Sequence, residues 1–237
     1  MTSEESAKPA LPEPIARLEQ VSKVYETAAA RVTALEKMSW EVGRGEAVAL
    51  MGPSGCGKTT ILNLLGGMDR PTSGAIMVDG ENVAAMSERQ LEHYRLRKIG
   101  FVFQFFNLIP SLSAIENLEL PMLIAGTPEE ERRARAETLL ETVGLKPKGF
   151  KRPEELSGGE QQRVAVCLAL VNNPSIILAD EPTGNLDSAN SKIIADLLIN
   201  LAKHEGKTVI VASHDPKVVE AFPRMYHMRD GVIQRAA

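Results

Sequence analysis

The chain has 237 residues, a formal net charge of −4, 43% hydrophobic and 24% charged residues, a balance ordinary for one large globular domain or two small ones. The acidic excess argues against a general nucleic-acid binder, whose footprint is basic, so no nucleic acid is expected as a partner. Two cysteines, Cys56 and Cys167, supply no disulfide framework and favour a reducing compartment; the longest apolar run, Val164 to Val171, has eight residues, against the ~18 that a membrane span needs.

Residues 1–14 carry Glu4, Glu5, Pro9, Pro12 and Pro14 without an apolar core and read as a disordered tail, not a signal peptide. Residues 15–237 read as a single domain. From Ile15 to Val42 the texture is β: Tyr25 closes the first β-like run, and Met38-Ser39-Trp40-Glu41-Val42 alternates strictly. Gly43-Arg44-Gly45 is a turn before the buried-looking run Ala47-Val48-Ala49-Leu50-Met51. Next comes Gly52-Pro53-Ser54-Gly55-Cys56-Gly57-Lys58-Thr59, which fits G-x-x-x-x-G-K-[ST], followed from Thr60 by a helix that stops at Gly66-Gly67. Strand, glycine-rich loop and helix form the context in which this pattern binds phosphate. The glycines let successive N–H groups turn inward, and the helix N-terminus adds its positive end. Lys58 reaches the β- and γ-phosphates and the Thr59 hydroxyl meets Mg²⁺. This stretch is read as a nucleotide-phosphate site.

A short strand, Ala75 to Val78, and a helix, Ser87 to Lys98, precede a strand from Ile99 to Phe103 that ends at Gln104. After the apolar stretch Phe105-Phe106-Asn107-Leu108-Ile109-Pro110, two helix starts show capping-box spacing: Ser113 with Glu116, and Thr127 with Glu130, the latter with Pro128 at the first helical position. The second helix carries Ala136, Leu139, Leu140 and Val143 on one face and stops at Gly144. Ser157-Gly158-Gly159-Glu160 repeats the box before a helix running to Val171. Ile176 to Ala179 is a strand ending in Asp180-Glu181. A helix with Ile193, Ile194, Leu197, Leu198 and Leu201 at helical spacing stops at Gly206. Thr208 to Ala212 is a buried strand ending at Ser213-His214, and Asp230-Gly231 turns a final hairpin. Apolar strands alternating with helices predict an α/β sheet covered on both faces. Residues 15–94 and 172–237 form its core, and 95–171 a mainly helical insert.

Ligands of such sheets sit beyond the carboxyl ends of the strands. Four strand ends carry polar groups: the phosphate loop, Gln104, Asp180-Glu181 and Ser213-His214. Asp180 suits the Mg²⁺ shell, Glu181 points elsewhere, towards an attacking water, and His214 becomes a γ-phosphate sensor. Leu156-Ser157-Gly158-Gly159-Glu160 has two readings, a capped helix start complete in itself or a second phosphate-binding helix end that completes another chain's site.

Taken together, the phosphate loop, Gln104, Leu156-Ser157-Gly158-Gly159-Glu160-Gln161, Ile176 to Glu181, Gly184-Asn185-Leu186-Asp187 and His214 resemble the ATP-binding subunits of ABC transporters, over about residues 15–235. The resemblance implies a P-loop NTPase fold of the ABC type: a mainly parallel core sheet, a small antiparallel β subdomain and the helical insert. It also implies a homodimer in the ATP-bound state that sandwiches two ATP molecules with Mg²⁺. Each nucleotide is then held by Gly52, Ser54, Gly55, Cys56, Gly57, Lys58, Thr59 and Thr60 of one chain and by Ser157, Gly158, Gly159 and Glu160 of the other. Tyr25 stacks on adenine; Thr59, Gln104 and Asp180 serve the metal; Asp187 lies at the dimer seam. Glu181 acts as general base, with Lys58, Gln104 and His214 as its catalytic companions. The partner is an integral-membrane permease that holds the chain at the cytoplasmic face of the inner membrane. Phe103 to Pro110, Glu116-Asn117 and Ala179 to Asp187 look most like the lipoprotein-releasing, macrolide-exporting and division-associated group, which implies mechanical work on extracytoplasmic substrates or, alternatively, a regulatory ATPase of a non-transport complex such as division machinery. One departure is Leu168, where the family usually has an arginine.

Overall fold

The computed structural model describes residues 14–26 and 30–235; of the stretch expected to be a tail, all but Pro14 lies outside the described residues. Two sheets organise the chain. In the smaller, strands β1 (Ala16–Glu26), β2 (Arg31–Val42), β4 (Ser73–Val78) and β5 (Glu81–Asn82) pair antiparallel in the order β2-β1-β4-β5. In the larger, β3 (Ala47–Met51), β6 (Ile99–Val102), β7 (Ile176–Asp180), β8 (Thr208–Ser213), β9 (Arg224–Arg229) and β10 (Val232–Arg235) take the order β10-β9-β3-β8-β7-β6. Every pairing from β9 to β6 is parallel, and only the β9–β10 hairpin is antiparallel.

The near-continuous apolar composition of β3, β7 and β8 follows from burial on both faces. Successive side chains alternate between two cores. Val48, Leu50, Ile176, Leu178 and Ile210 face one core, shared with the small sheet and with helix α1 (Lys58–Leu65). Ala49, Ile177, Ala179, Val209 and Val211 face the other. Helices α3 (Ala114–Ile124), α4 (Glu129–Thr142), α5 (Gly158–Leu170) and α6 (Ser188–Glu205) pack into that second core. Helix α2 (Glu88–Lys98) precedes β6, and the short α7 (Pro216–Val219) follows β8. No helix among the described residues is long and apolar enough to cross a membrane.

The box expected at Ser113 forms, and a further one joins Ser87 to Gln90. The box expected at Thr127 does not. Pro128 itself takes the N-cap position with extended backbone, its carbonyl accepting the Arg132 N–H, and no side chain caps α4. The residue before a proline is driven out of helical conformation, and Thr127 instead gives its N–H to the Met122 carbonyl. Along α6, Ile194, Leu198 and Leu201 are buried while Ile193 is exposed, which narrows the apolar stripe to one face.

Candidate functional site

Because β3, β6, β7 and β8 run parallel in adjacent register, their carboxyl ends share one edge of the sheet. The loop after β3 follows the strand that lies between β9 and β8. Gly57, the N-cap of α1, has φ +104° and no side chain caps the helix, so the positive helix end is bare. Within the described residues the backbone N–H groups of Gly55, Gly57, Lys58, Thr59 and Thr60 find no protein acceptor. Buried or clustered amide donors without acceptors are an anion site in wait of its ligand. Glycine at 52 answers a close approach: a Cβ there would lie 2.2 Å from the Met228 carbonyl oxygen of β9. The floor of the loop is thus the final hairpin.

Lys58 is buried, and its ammonium donates to the carbonyls of Gly52 (2.7 Å) and Pro53 (3.1 Å). Its nearest carboxylate oxygen, on Glu181, is 3.9 Å away. A buried cation held mainly by carbonyl dipoles is poised to exchange them for anionic oxygens.

Asp180 and Glu181 diverge as neighbours at a strand end must. Asp180 accepts a hydrogen bond from the Thr59 hydroxyl at 3.2 Å. Burial pushes its carboxyl above the usual range; Thr59 donation and the Lys58 charge oppose this, and the Glu181 charge adds to it. A hydroxyl and a carboxylate are hard oxygen donors, the set that binds Mg²⁺ together with phosphate oxygens, so the pair fits that ion.

Glu181 sits at φ +47°, a left-handed conformation that costs a non-glycine residue energy and that recurs at functional sites. Surrounding bonds impose it. The Glu181 N–H donates to the Ala212 carbonyl at 2.8 Å. Its carboxylate accepts from the Ser213 hydroxyl (3.2 Å) and the His214 backbone N–H (3.3 Å), and lies 3.0 Å from His214 Nδ1. The strain aims one carboxylate across the edge towards Lys58.

No hydrogen bond among the described residues joins Gln104 to Thr59 or Asp180. The Gln104 carboxamide lies against Gly184, where a Cβ would come within 2.9 Å of Nε2, and the Gln104 backbone carbonyl accepts from Asn185 Nδ2 at 3.1 Å. Tyr25, at the end of β1, donates its hydroxyl to Asp69 at 2.9 Å and carries the Lys23 ammonium 4.7 Å from its ring centroid. Burial raises the Tyr25 phenol most, a hydrogen bond with Thr60 acts the other way, and Asp69 adds to the rise. The Thr60 contact places the ring beside the start of α1.

Ser157 and Glu160 form the expected box at the start of α5, with Glu160 N–H to Ser157 Oγ at 3.4 Å and Ser157 N–H to the Glu160 carboxylate at 3.0 Å. The Lys148 ammonium binds the same carboxylate and is the first cause, with the Ser157 N–H next, that brings its pKa down to about 2. No hydrogen bond or ion pair joins residues 157–160 to the phosphate loop among the described residues. A carboxyl held low stabilises the fold above its unfolded value and loses that contribution as pH falls through the folded one. The stability gap between the native chain and Glu160→Ala, ~1 kcal/mol for the lost half of a capping box, is therefore expected to narrow between pH 4.5 and about 2. Urea unfolding across that range measures it; a gap independent of pH would contradict the pairing.

Of the two cysteines, Cys56 is buried under the loop, and Cys167 is buried with its thiol pushed up to about 12 by desolvation. Leu168 packs half-buried against the helical core. Sequence reasoning named Ser213 only as part of a polar strand end, without its bond to Glu181, and missed Lys148 and Asp69 as supports.

A family profile described as "ABC transporter" matches residues 35–184. The chain is 49% identical to an uncharacterized ABC transporter ATP-binding protein of Thermotoga maritima over 93% of this chain and 94% of that one. It is 45% identical to the lipoprotein-releasing system ATP-binding protein LolD of Bacteroides fragilis over 84% of this chain and 92% of that one. Among solved structures it is similar to the dimeric, post-hydrolysis state of an ATP-binding cassette bound to ADP and Pi, with TM-score 0.85, 42% identity and coverage of 93% of this chain and 97% of that chain.

Proposed function

The chain belongs to the ABC transporter family, and from that premise we propose that it is the subunit that binds and hydrolyses ATP to drive an integral-membrane permease. The observation that carries the reading is the convergence at one sheet edge of uncapped amide donors, the Thr59–Asp180 pair and the Lys58–Glu181–His214 group. On ATP binding, the N–H groups of Gly55, Gly57, Lys58, Thr59 and Thr60 take the phosphate oxygens, and Lys58 exchanges the Gly52 and Pro53 carbonyls for the β- and γ-phosphates. Thr59, Asp180 and Gln104 would hold Mg²⁺, which would supply positive charge to those phosphates. Glu181 removes a proton from water as its oxygen attacks the γ-phosphorus, the bond to the β-phosphate oxygen breaks, and ADP leaves with phosphate. Ser213 and His214 hold the Glu181 carboxylate in line. Tyr25 supports the adenine from beside Thr60.

The second phosphate-binding end, Ser157 to Glu160, shares no bond with the chain's own phosphate loop, which supports its use on the ATP of a second copy. ATP then joins two copies, and hydrolysis removes the γ-phosphate contact that joined them. Only such a difference in affinity between states can do work on a partner. The permease meets the segment from Gln104 to Leu112, where Phe105 is 71% and Ile109 40% exposed, and thereby holds the subunit at the cytoplasmic face of the inner membrane. Residues 15–94 and 172–237 serve as the nucleotide core, to which 95–171 lend the strand β6, while α3 to α5 of that segment serve as the helical subdomain that relays its state. Likeness to the lipoprotein-releasing relative supports work on an extracytoplasmic substrate, by lipoprotein release, macrolide export or a similar stroke.

Capture tests this reading. Tagged Glu181→Gln protein with ATP and Mg²⁺ is expected to recover from gently solubilised membranes a permease with few spans and a large extracytoplasmic domain. Recovery of its own dimer alone would favour a soluble switch and refute the permease.

A further inference from the structure

The signature turn at residues 157–160 is braced from behind by the start of α6. Asn190, in the first turn of α6, is bound to Asp187 at two points: its backbone N–H donates to Oδ1 at 2.8 Å and its Nδ2 to Oδ2 at 2.9 Å. These bonds, the backbone one first, hold the Asp187 carboxyl below the usual range. The other face of the same carboxamide lies on Gly159. A Cβ on Gly159 would stand 2.1 Å from Asn190 Oδ1 and 2.4 Å from Cγ. The two signature glycines therefore differ. At Gly158 a Cβ would meet nothing nearer than Phe106 Cζ at 3.7 Å and Leu186 Cδ2 at 3.8 Å, ordinary contact distances. Gly159 is buried within its own chain, and its bareness is already accounted for by Asn190.

We propose that Asn190 is a positioning residue that fastens the Asp187 turn to the signature glycines, so that both are presented to a second copy of this chain as one rigid unit. The inference rests on the proposed reading that this turn completes another copy's ATP site. A carboxamide is suited to the task. It offers a donor to the Asp187 carboxylate and a flat face to the glycine, and its two sp² heteroatoms are set by one torsion, so neither contact can shift without the other. The second glycine of this turn is then required for packing within the chain, against Asn190.

Coupled substitutions distinguish these roles. The background is Glu181→Gln, read by ATP-dependent dimerisation in light scattering, with a fluorescent ATP analogue reporting nucleotide binding to the monomer. Gly159→Ala and Asn190→Ala are each expected to weaken dimerisation ~10-fold or more, the effect of roughly 1.4 kcal/mol, with analogue binding unchanged. In the double variant, Gly159→Ala adds nothing to Asn190→Ala, because the group it would strike is gone. Should Gly159→Ala misfold, Asn190→Asp keeps the shape, sets two carboxylates together and gives the same split between dimerisation and monomer binding. Equal losses from Gly159→Ala in both backgrounds, or full dimerisation of Asn190→Asp, would overturn the proposal while leaving the ATPase reading intact. If the Glu181→Gln parent itself stays monomeric with ATP, the reading of the signature turn falls, and this inference with it.

Discussion

Glu181→Gln is expected to lower kcat for ATP hydrolysis by ~10²–10⁴-fold, the usual worth of a positioned general base, while ATP binding is kept and the ATP-bound dimer accumulates. The geometry explains why the loss is confined to chemistry. Glutamine keeps the side chain's length, and its carbonyl oxygen can still accept from the Ser213 hydroxyl and the His214 backbone N–H that bind Oε2. What is lost is a carboxylate able to take a proton. The φ of +47° at residue 181 is imposed by the Glu181 N–H bond to Ala212 and is unaffected by the exchange. Steady-state hydrolysis together with equilibrium binding separates the two effects. A glutamine variant that hydrolyses at the native rate would remove Glu181 from the role of base.

Lys58→Ala is expected to act one step earlier, on binding. Its ammonium is buried and reaches two carbonyls at 2.7 and 3.1 Å. On nucleotide binding these give way to two charge-assisted bonds to phosphate, each worth ~1.5–3 kcal/mol. Together they correspond to a loss of ~10²–10⁴-fold in ATP affinity. The fold itself should survive, because Lys58 stands at the first position of α1 and the buried Ile61, Leu62, Leu64 and Leu65 carry that helix's packing. Equilibrium titration with circular dichroism as a control measures both; native ATP affinity would refute the placement of phosphate over the loop.

What the chain discloses about itself divides along physical lines. Local stereochemistry was legible. The phosphate loop announces itself because a bare helix end and φ +104° at Gly57 demand glycines at fixed spacing. The polar ends of β3, β6, β7 and β8 converge because parallel strands share an edge. The box at Ser157 follows from its own residues. Thr127-Pro128 shows the limit of such reading, since the S/T-x-x-E spacing was present and the proline's effect on its neighbour decided against it. Contacts distant in sequence were not legible. Nothing near Gly52 says that the Met228 carbonyl lies beneath it, nothing near Gly159 names Asn190, and nothing near Glu160 names Lys148. The strain at Glu181 was likewise hidden, because a left-handed glutamate is set by β8 beside it and not by its own sequence. Gln104 and Tyr25 depend on packing in the same way. Gln104 lies against Gly184 and Tyr25 beside Thr60, and neither bonds to Asp180 among the described residues.

In the proposed mechanism ATP joins two copies through sites that each chain holds only in part. The most direct measurement is the solution mass of Glu181→Gln with and without ATP and Mg²⁺. The expected result is the 25.8 kDa monomer without nucleotide and double that mass with it. A chain that binds ATP fully and remains at the monomer mass would contradict it.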